Sequence, residues 1–337
     1  MNLFDIVLQD KAQADIRMLI GDGWQRLRRD MALAQKFVLD RSLAATADAV
    51  MDDEVSRVLG SCRVPFGSVW IECLQADRPQ FHVAPLSGSR DKLLPDRDND
   101  FFPLAKPKRI GLLLQCPHES RLQFFAHLMW SFPNDELTPS IISMVVDLTA
   151  ECGWLKELER RLDFGGIGSK DLSAHILPIP SPYYSEFLET MWGQDNQFLS
   201  SEEMRKRMPM ELQRLLYEGL ADWGHEPQYW FAVLALLNCR NVAASKTIDV
   251  SGLNRARTKQ RRPLFAEHKI LSLRLPGARA GGGTRHSSVS DEQARGHFVR
   301  GHFKVRKTGV FWWGDFFRGD PSRVVHKTYD VQYEDTK

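Results

Sequence analysis

The apolar residues of this chain come in short runs, and that limits what it can build. The longest, such as Ile110 to Leu114 and Trp230 to Leu237, fall far short of the ~18 consecutive apolar residues of a membrane-crossing helix. Runs of this size make the strands and buried helices of globular domains. With 43% hydrophobic and 26% charged residues, the chain has enough apolar content for sizeable cores, which argues against disorder along its whole length. Its 337 residues suit two or three domains at roughly 100–200 residues each.

No membrane partner is expected. The start, Met1-Asn2-Leu3-Phe4-Asp5, carries an acid and no basic stretch, so it does not read as a signal peptide. The five cysteines (Cys62, Cys73, Cys116, Cys152 and Cys239) are odd in number and widely spaced. That favours free thiols in a reducing compartment and so a cytoplasmic protein. No Cys or His pair has zinc-site spacing, and neither a metal nor a cofactor is expected.

Periodicity gives a mixed set of elements. Ile16, Ile20, Trp24 and Leu27 recur at helical spacing and predict a helix over 8–34, with a second over Ser42 to Leu59. Strands are predicted at Ser68 to Cys73, Arg109 to Gln115 and Arg121 to Trp130, the last two joined as a hairpin by Pro117 to Ser120. Residues 84–108 read as a long loop and Pro139 to Leu162 as a helix. Residues 183–238 read as mainly helical, with Tyr229 to Leu237 a buried apolar helix. The run Gly165-Gly166-Ile167-Gly168-Ser169 lacks the Lys-Ser/Thr ending of a phosphate loop. It marks a boundary. The fold class is therefore α+β: an N-terminal α/β domain over 1–165, a helical region over 166–250, and a basic β-rich module over 251–337 packed with that helical region.

Charge separates these parts. Residues 251–337 hold 18 Lys and Arg against 8 Asp and Glu, a net charge of +10, which leaves −8 for the first 250 residues. Such a split points to an electrostatic partner, nucleic acid first, or to docking of the basic part on the acidic half. Five cations, Arg255, Arg257, Lys259, Arg261 and Arg262, lie on a short helix or extended arm. Ile270 to Leu275 alternates like a strand, and Ala280 to Thr284 is rich in glycine.

The segment Arg295 to Arg306 also alternates, with Arg300, His302, Lys304 and Arg306 on one face. A three-residue turn, Lys307-Thr308-Gly309, pairs Lys304 with Trp312. Trp312 then joins the cations on the outer face, while Phe303, Val305, Phe311 and Trp313 share the core face. Cations beside an exposed aromatic suit phosphate binding with base stacking. A two-residue turn would instead send Trp312 to the core. His297, His302 and His326, with Lys304 and Arg300, also match the parts of a metal-independent ribonuclease. His297 and His302 are five apart, however, and meet on one face only if a bulge forms at Gly301.

Several segments together resemble a known family. They are Val64 to Glu72, Leu236 to Val242, Leu253 to Leu264, Val299 to Lys304, Val310 to Trp313, Arg318 to Asp320 and His326 to Asp330. Their order is similar to that of a family of proteins encoded by bacteriophages and prophages, which has no established activity. Asp315-Phe316-Phe317 departs from the pattern. The resemblance implies a bacterial cytoplasm or phage context, and no catalytic role carries over from it. The leading expectation is an accessory protein that binds nucleic acid through Arg255, Arg257, Lys259, Arg261, Arg262, Arg300, Lys304, Arg306 and Trp312. The alternatives are an assembly component with a protein partner on the acidic N-terminal half, and the ribonuclease-like enzyme.

Overall fold

The computed structural model describes residues 2–11, 17, 20–50, 54–55, 57–78, 107–117, 119, 121–132, 136–149, 176–184, 223, 226–273, 297–299, 301–313 and 316–318. Most of the loop over 84–108, the Gly165 to Ser169 run, the helical reading over 185–222, the Ala280 to Thr284 run and the segment His326 to Asp330 lie outside the described residues.

The protein is a mixed α+β structure. The strands β1 (Gln35–Leu39), β2 (Ser68–Leu74), β3 (Arg109–Gln115), β4 (Gln123–Ser131), β5 (Leu137–Asp147), β6 (Ile176–Pro180), β7 (Ala243–Ile248) and β8 (His268–Leu273) form one sheet. Their order across it is β6-β5-β4-β3-β2-β1-β8-β7. β1 runs parallel to both β2 and β8, and every other pair is antiparallel. The sheet therefore takes strands from all three sequence segments, with β8 of the basic segment lying beside β1.

Helices cover both faces. They are α1 (Leu3–Leu8), α2 (Asp22–Leu33), α3 (Arg41–Asp48), α4 (Glu226–Asn238) and α5 (Ser251–Lys259). Alternation along β2 explains the layers. Trp70 and Glu72 point towards α1, where the Glu72 carboxylate accepts hydrogen bonds from the Leu3 and Phe4 amides at 3.0–3.2 Å and from Trp70 Nε1 at 2.8 Å. Glu72 thus acts as a remote cap: its charge meets the positive end of α1, and Arg109 pairs with it at 3.3 Å. Gly111 is required opposite, because a Cβ there would lie 2.1 Å from the Trp70 ring. On the other face, Tyr229 of α4 donates to Cys73 Sγ at 3.4 Å. Asp40 caps α3 by accepting from the Leu43 amide at 2.9 Å.

Several sequence expectations need correction. Of the helix read over 8–34, the described residues show α1 ending at Leu8, Arg17 and Ile20 helical, a break at Gly21 with a φ of 59°, and α2 after it, and Gln35 to Leu39 then forms β1, a strand the sequence reading did not include. The second helix, read from Ser42 to Leu59, is interrupted: α3 ends at Asp48, and Glu54 and Val55 are helical further on. Of the helix read over Pro139 to Leu162, the part up to Asp147 is instead β5, an eleven-residue strand carrying the β-branched Ile141, Ile142, Val145 and Val146, and residues 150–162 lie outside the described residues. Most of β5 is buried, so it shows no apolar–polar alternation that would have marked it as a strand.

Candidate nucleic-acid interface

The basic cluster near the C-terminus forms a long hairpin. Its strands are β9 (His297–Val299), β10 (His302–Arg306), β11 (Gly309–Trp313) and β12 (Phe316–Arg318). β9 pairs with β12 and β10 with β11, as two short antiparallel ladders: Val299 faces Phe316 and His302 faces Trp313. The hairpin is fixed to the body by the loop after α4. Arg240 N donates to Val310 O at 3.1 Å. The Asn241 side chain donates to Trp312 O at 2.7 Å and accepts from Trp312 N at 3.0 Å, so one amide stands in for a neighbouring strand. Glu54 Oε2 accepts from Phe303 N at 3.3 Å.

The turn differs from the expected one. Arg306 pairs directly with Gly309, leaving a two-residue turn, Lys307-Thr308. Gly309 does have a positive φ of 130°, and its open side is packed by the Arg240 side chain. Moving Gly309 from loop to strand shifts the second strand by one residue, and a shift of one exchanges its faces. Trp312 is therefore buried, 6% exposed, with its ring edge-on to Phe303 at 4.8 Å. Phe303 and Val310 are buried beside it. Trp312 leaves the outer face, and Phe311 and Trp313 replace it there.

The corrected outer face keeps the expected chemistry with different rings. Across the two strands His302 opposes Trp313, and Lys304 opposes Phe311. Trp313 is 41% exposed. Lys304 Nζ lies 4.6 Å from the Trp313 ring centroid, and the Arg306 guanidinium 5.7 Å from that of Phe311. The His302 ring is 6.2 Å from Trp313, tilted by 34°. Among the described residues of this face none is acidic. Arg300 and His326 lie outside the described residues, and of His297 only the backbone is described.

The arm is α5 with the turn after it. Asn254 holds its base, donating to Phe265 O at 2.9 Å and accepting from Phe265 N at 2.8 Å. Arg257 is structural: it donates to Pro263 O and to Gln9 Oε1 and lies 4.2 Å over the Phe265 ring. Arg255, Lys259, Arg261 and Arg262 are exposed. The Ser251 amide and Arg255 hold Asp249, at the foot of the arm, below the usual carboxylate range. Arm and hairpin do not merge. The hairpin is held just before β7 and α5 begins just after it, so one strand length, roughly 17 Å for six residues, separates their attachment points.

Catalytic constellations are sparse among the described residues. Of the three histidines in the ribonuclease reading, only His302 has a described side chain. One Ser–His contact has no motif to mark it: His127 Nδ1 lies 2.6 Å from Ser143 Oγ. Gln115 is 3.0 Å from its other nitrogen, and both Ser143 and His127 are buried in the sheet, so no substrate reaches them. Burial lowers the His127 pKa to about 3 and keeps the ring neutral. A second buried network also went unread. Arg78 pairs with both Glu226 oxygens at 2.9 and 3.0 Å, lies 3.7 Å from Asp48, and stacks 3.8 Å over Tyr229. Burial raises the Cys62, Cys73 and Cys239 thiols to about 12, which leaves them poor nucleophiles. Among the described residues no group of three His, Cys, Asp or Glu is placed to hold a metal ion, and no helix is long and apolar enough to cross a membrane.

No family model, curated protein or solved structure matches the chain.

Proposed function

We propose that this chain is an accessory protein that binds nucleic acid through the outer face of the β10–β11 hairpin. One observation carries the reading: Lys304, Arg306 and His302 share that face with Phe311 and the exposed Trp313, with no carboxylate among its described residues. Lysine and arginine neutralise phosphates and release counterions, while the rings offer flat apolar surface. Arg255, Lys259, Arg261 and Arg262 form a second set of phosphate contacts one strand length away, and Arg257 holds that set in place. In this reading the segment after residue 250 works as a basic module fastened to the region before it through Asn241. The sequence resemblance sets the work in a phage or prophage context, inside the bacterial cytoplasm.

The test is binding of labelled DNA and RNA across a salt series. Wild type is expected to bind at low salt, with affinity falling linearly on logarithmic axes. Lys304→Ala/Arg306→Ala is expected to weaken binding and to reduce the salt slope by about 1.5, near 0.7–0.9 for each lost phosphate contact. Absence of binding at low salt overturns the reading in favour of an assembly role with a protein partner. An oligomer or complex of defined mass, insensitive to nuclease, is the mark of that alternative.

A further inference from the structure

We infer that the hairpin face selects single-stranded nucleic acid, taking one unstacked base on Trp313 and the next on Phe311. This rests on the nucleic-acid reading above and adds the class of strand. The argument begins from spacing. Phe311 and Trp313 are two residues apart on β11 and emerge on the same face, so their attachment points are about 6.6 Å apart. A stacked strand rises about 3.4 Å per nucleotide, half that distance. Neighbouring bases that remain stacked cannot place flat faces on both rings. Bases that have come apart can.

Exposure points the same way. In a duplex each base is covered above and below by its neighbours, and only groove edges and phosphates are offered. Cations alone would serve for phosphates, and an exposed tryptophan would add nothing. Here the two rings are part of the charged face. Lys304 sits at 4.6 Å from the Trp313 centroid and Arg306 at 5.7 Å from that of Phe311. Each cation lies over its ring, so a base that stacks there takes the cation's place and meets it again at its own phosphate. The platform is also fixed before any ligand arrives. Phe303, Val310 and Trp312 bury its underside, and Asn241 and Glu54 hold its strands by hydrogen bonds. Little ordering is left to oppose binding. An arm of exposed cations one strand length away lets a flexible strand leave the hairpin and still meet phosphate contacts, whereas a stiff duplex must bend to touch both.

The experiment compares oligo-dT, oligo-U and a blunt DNA duplex, each about 12 nucleotides long, on the full chain at low salt. Wild type, Trp313→Leu and Trp313→Phe are measured side by side. Single strands are expected to bind at least tenfold tighter than the duplex. Trp313→Leu keeps the apolar bulk and is expected to lose about tenfold on single strands, the worth of one stacked base, with duplex binding unchanged. Trp313→Phe is expected to restore most of that loss, because it restores a ring. Comparing oligo-dT with oligo-U shows whether a 2′-hydroxyl matters. If the duplex binds as tightly as the single strands and Trp313→Leu weakens neither, the single-strand inference is overturned while nucleic-acid binding stands. If none of the three ligands binds, both fall together.

Discussion

Two cation–aromatic pairs in this protein use similar parts in different settings. Arg78 lies 3.8 Å over the Tyr229 ring, and Lys304 lies 4.6 Å over the Trp313 ring. The first cation is buried and clamped by Glu226 and Asp48. The second is exposed, on a face without described carboxylates. A buried cation needs its counter-charges, because an unpaired charge in the interior is costly. An exposed cation keeps its water and leaves its field available to an incoming anion. The difference shows that neither the ring nor the cation tells a closed structural pair from an open one. The position of the carboxylates does.

That contrast can be broken by mutation. Arg78→Ala leaves two buried carboxylates without their cation, and is expected to cost about 3–5 kcal/mol in denaturant unfolding. A loss below about 1 kcal/mol would mean the network is far wetter than its burial implies. Next in size is Trp312→Ala, which removes the ring beneath the hairpin and is expected to cost about 3 kcal/mol, with the hairpin amides losing protection from hydrogen exchange first. The third effect depends on pH. His127 titrates near 3 in the fold, against an ordinary 6.5, because burial disfavours its charged form. Its contribution is therefore complete above pH 6.5 and is lost as pH falls from there towards 3. The expected slope is up to about 1.4 kcal/mol per pH unit. His127→Gln, which can still bond Ser143, should flatten that slope in urea titrations at several pH values. The smallest effect belongs to the binding side: Trp313→Leu is expected to change stability by no more than about 0.5 kcal/mol, whatever it does to binding. A large destabilisation there would make the outer ring a packing residue and erase the comparison.

The contrast also marks what could be read from the chain. β2, β3, β4 and β8 were legible because each is a short apolar or alternating run between turn residues. α4 was legible because Tyr229 to Leu237 is apolar all round. β5 was not, since its mostly buried length hides the two-residue period behind Pro139 and a continuous apolar run. β7, with Ala243-Ala244-Ser245, carries too little apolar or β-branched character to stand out. At the hairpin the cations were read correctly for Lys304 and Arg306 and the aromatics were not. Cation positions on β10 follow from alternation alone. Ring positions on β11 depend on how many residues the turn contains, and one residue decides which face every side chain takes. Arg257 was counted with its neighbours because nothing local reveals that Gln9 and Pro263 receive it.

The place of β8 beside β1 has a consequence for how this protein is made. Phe37 pairs with Lys269, so β1 gains its second neighbour only after β8 has been made. During synthesis, β1 to β5 can assemble while β1 still shows an open parallel edge, and that edge stays open until most of the chain has left the ribosome. Such late, long-range pairing is slow, and an uncovered edge invites foreign strands. Because the arm immediately precedes β8 in the chain, its cations are made just before the strand that completes the sheet.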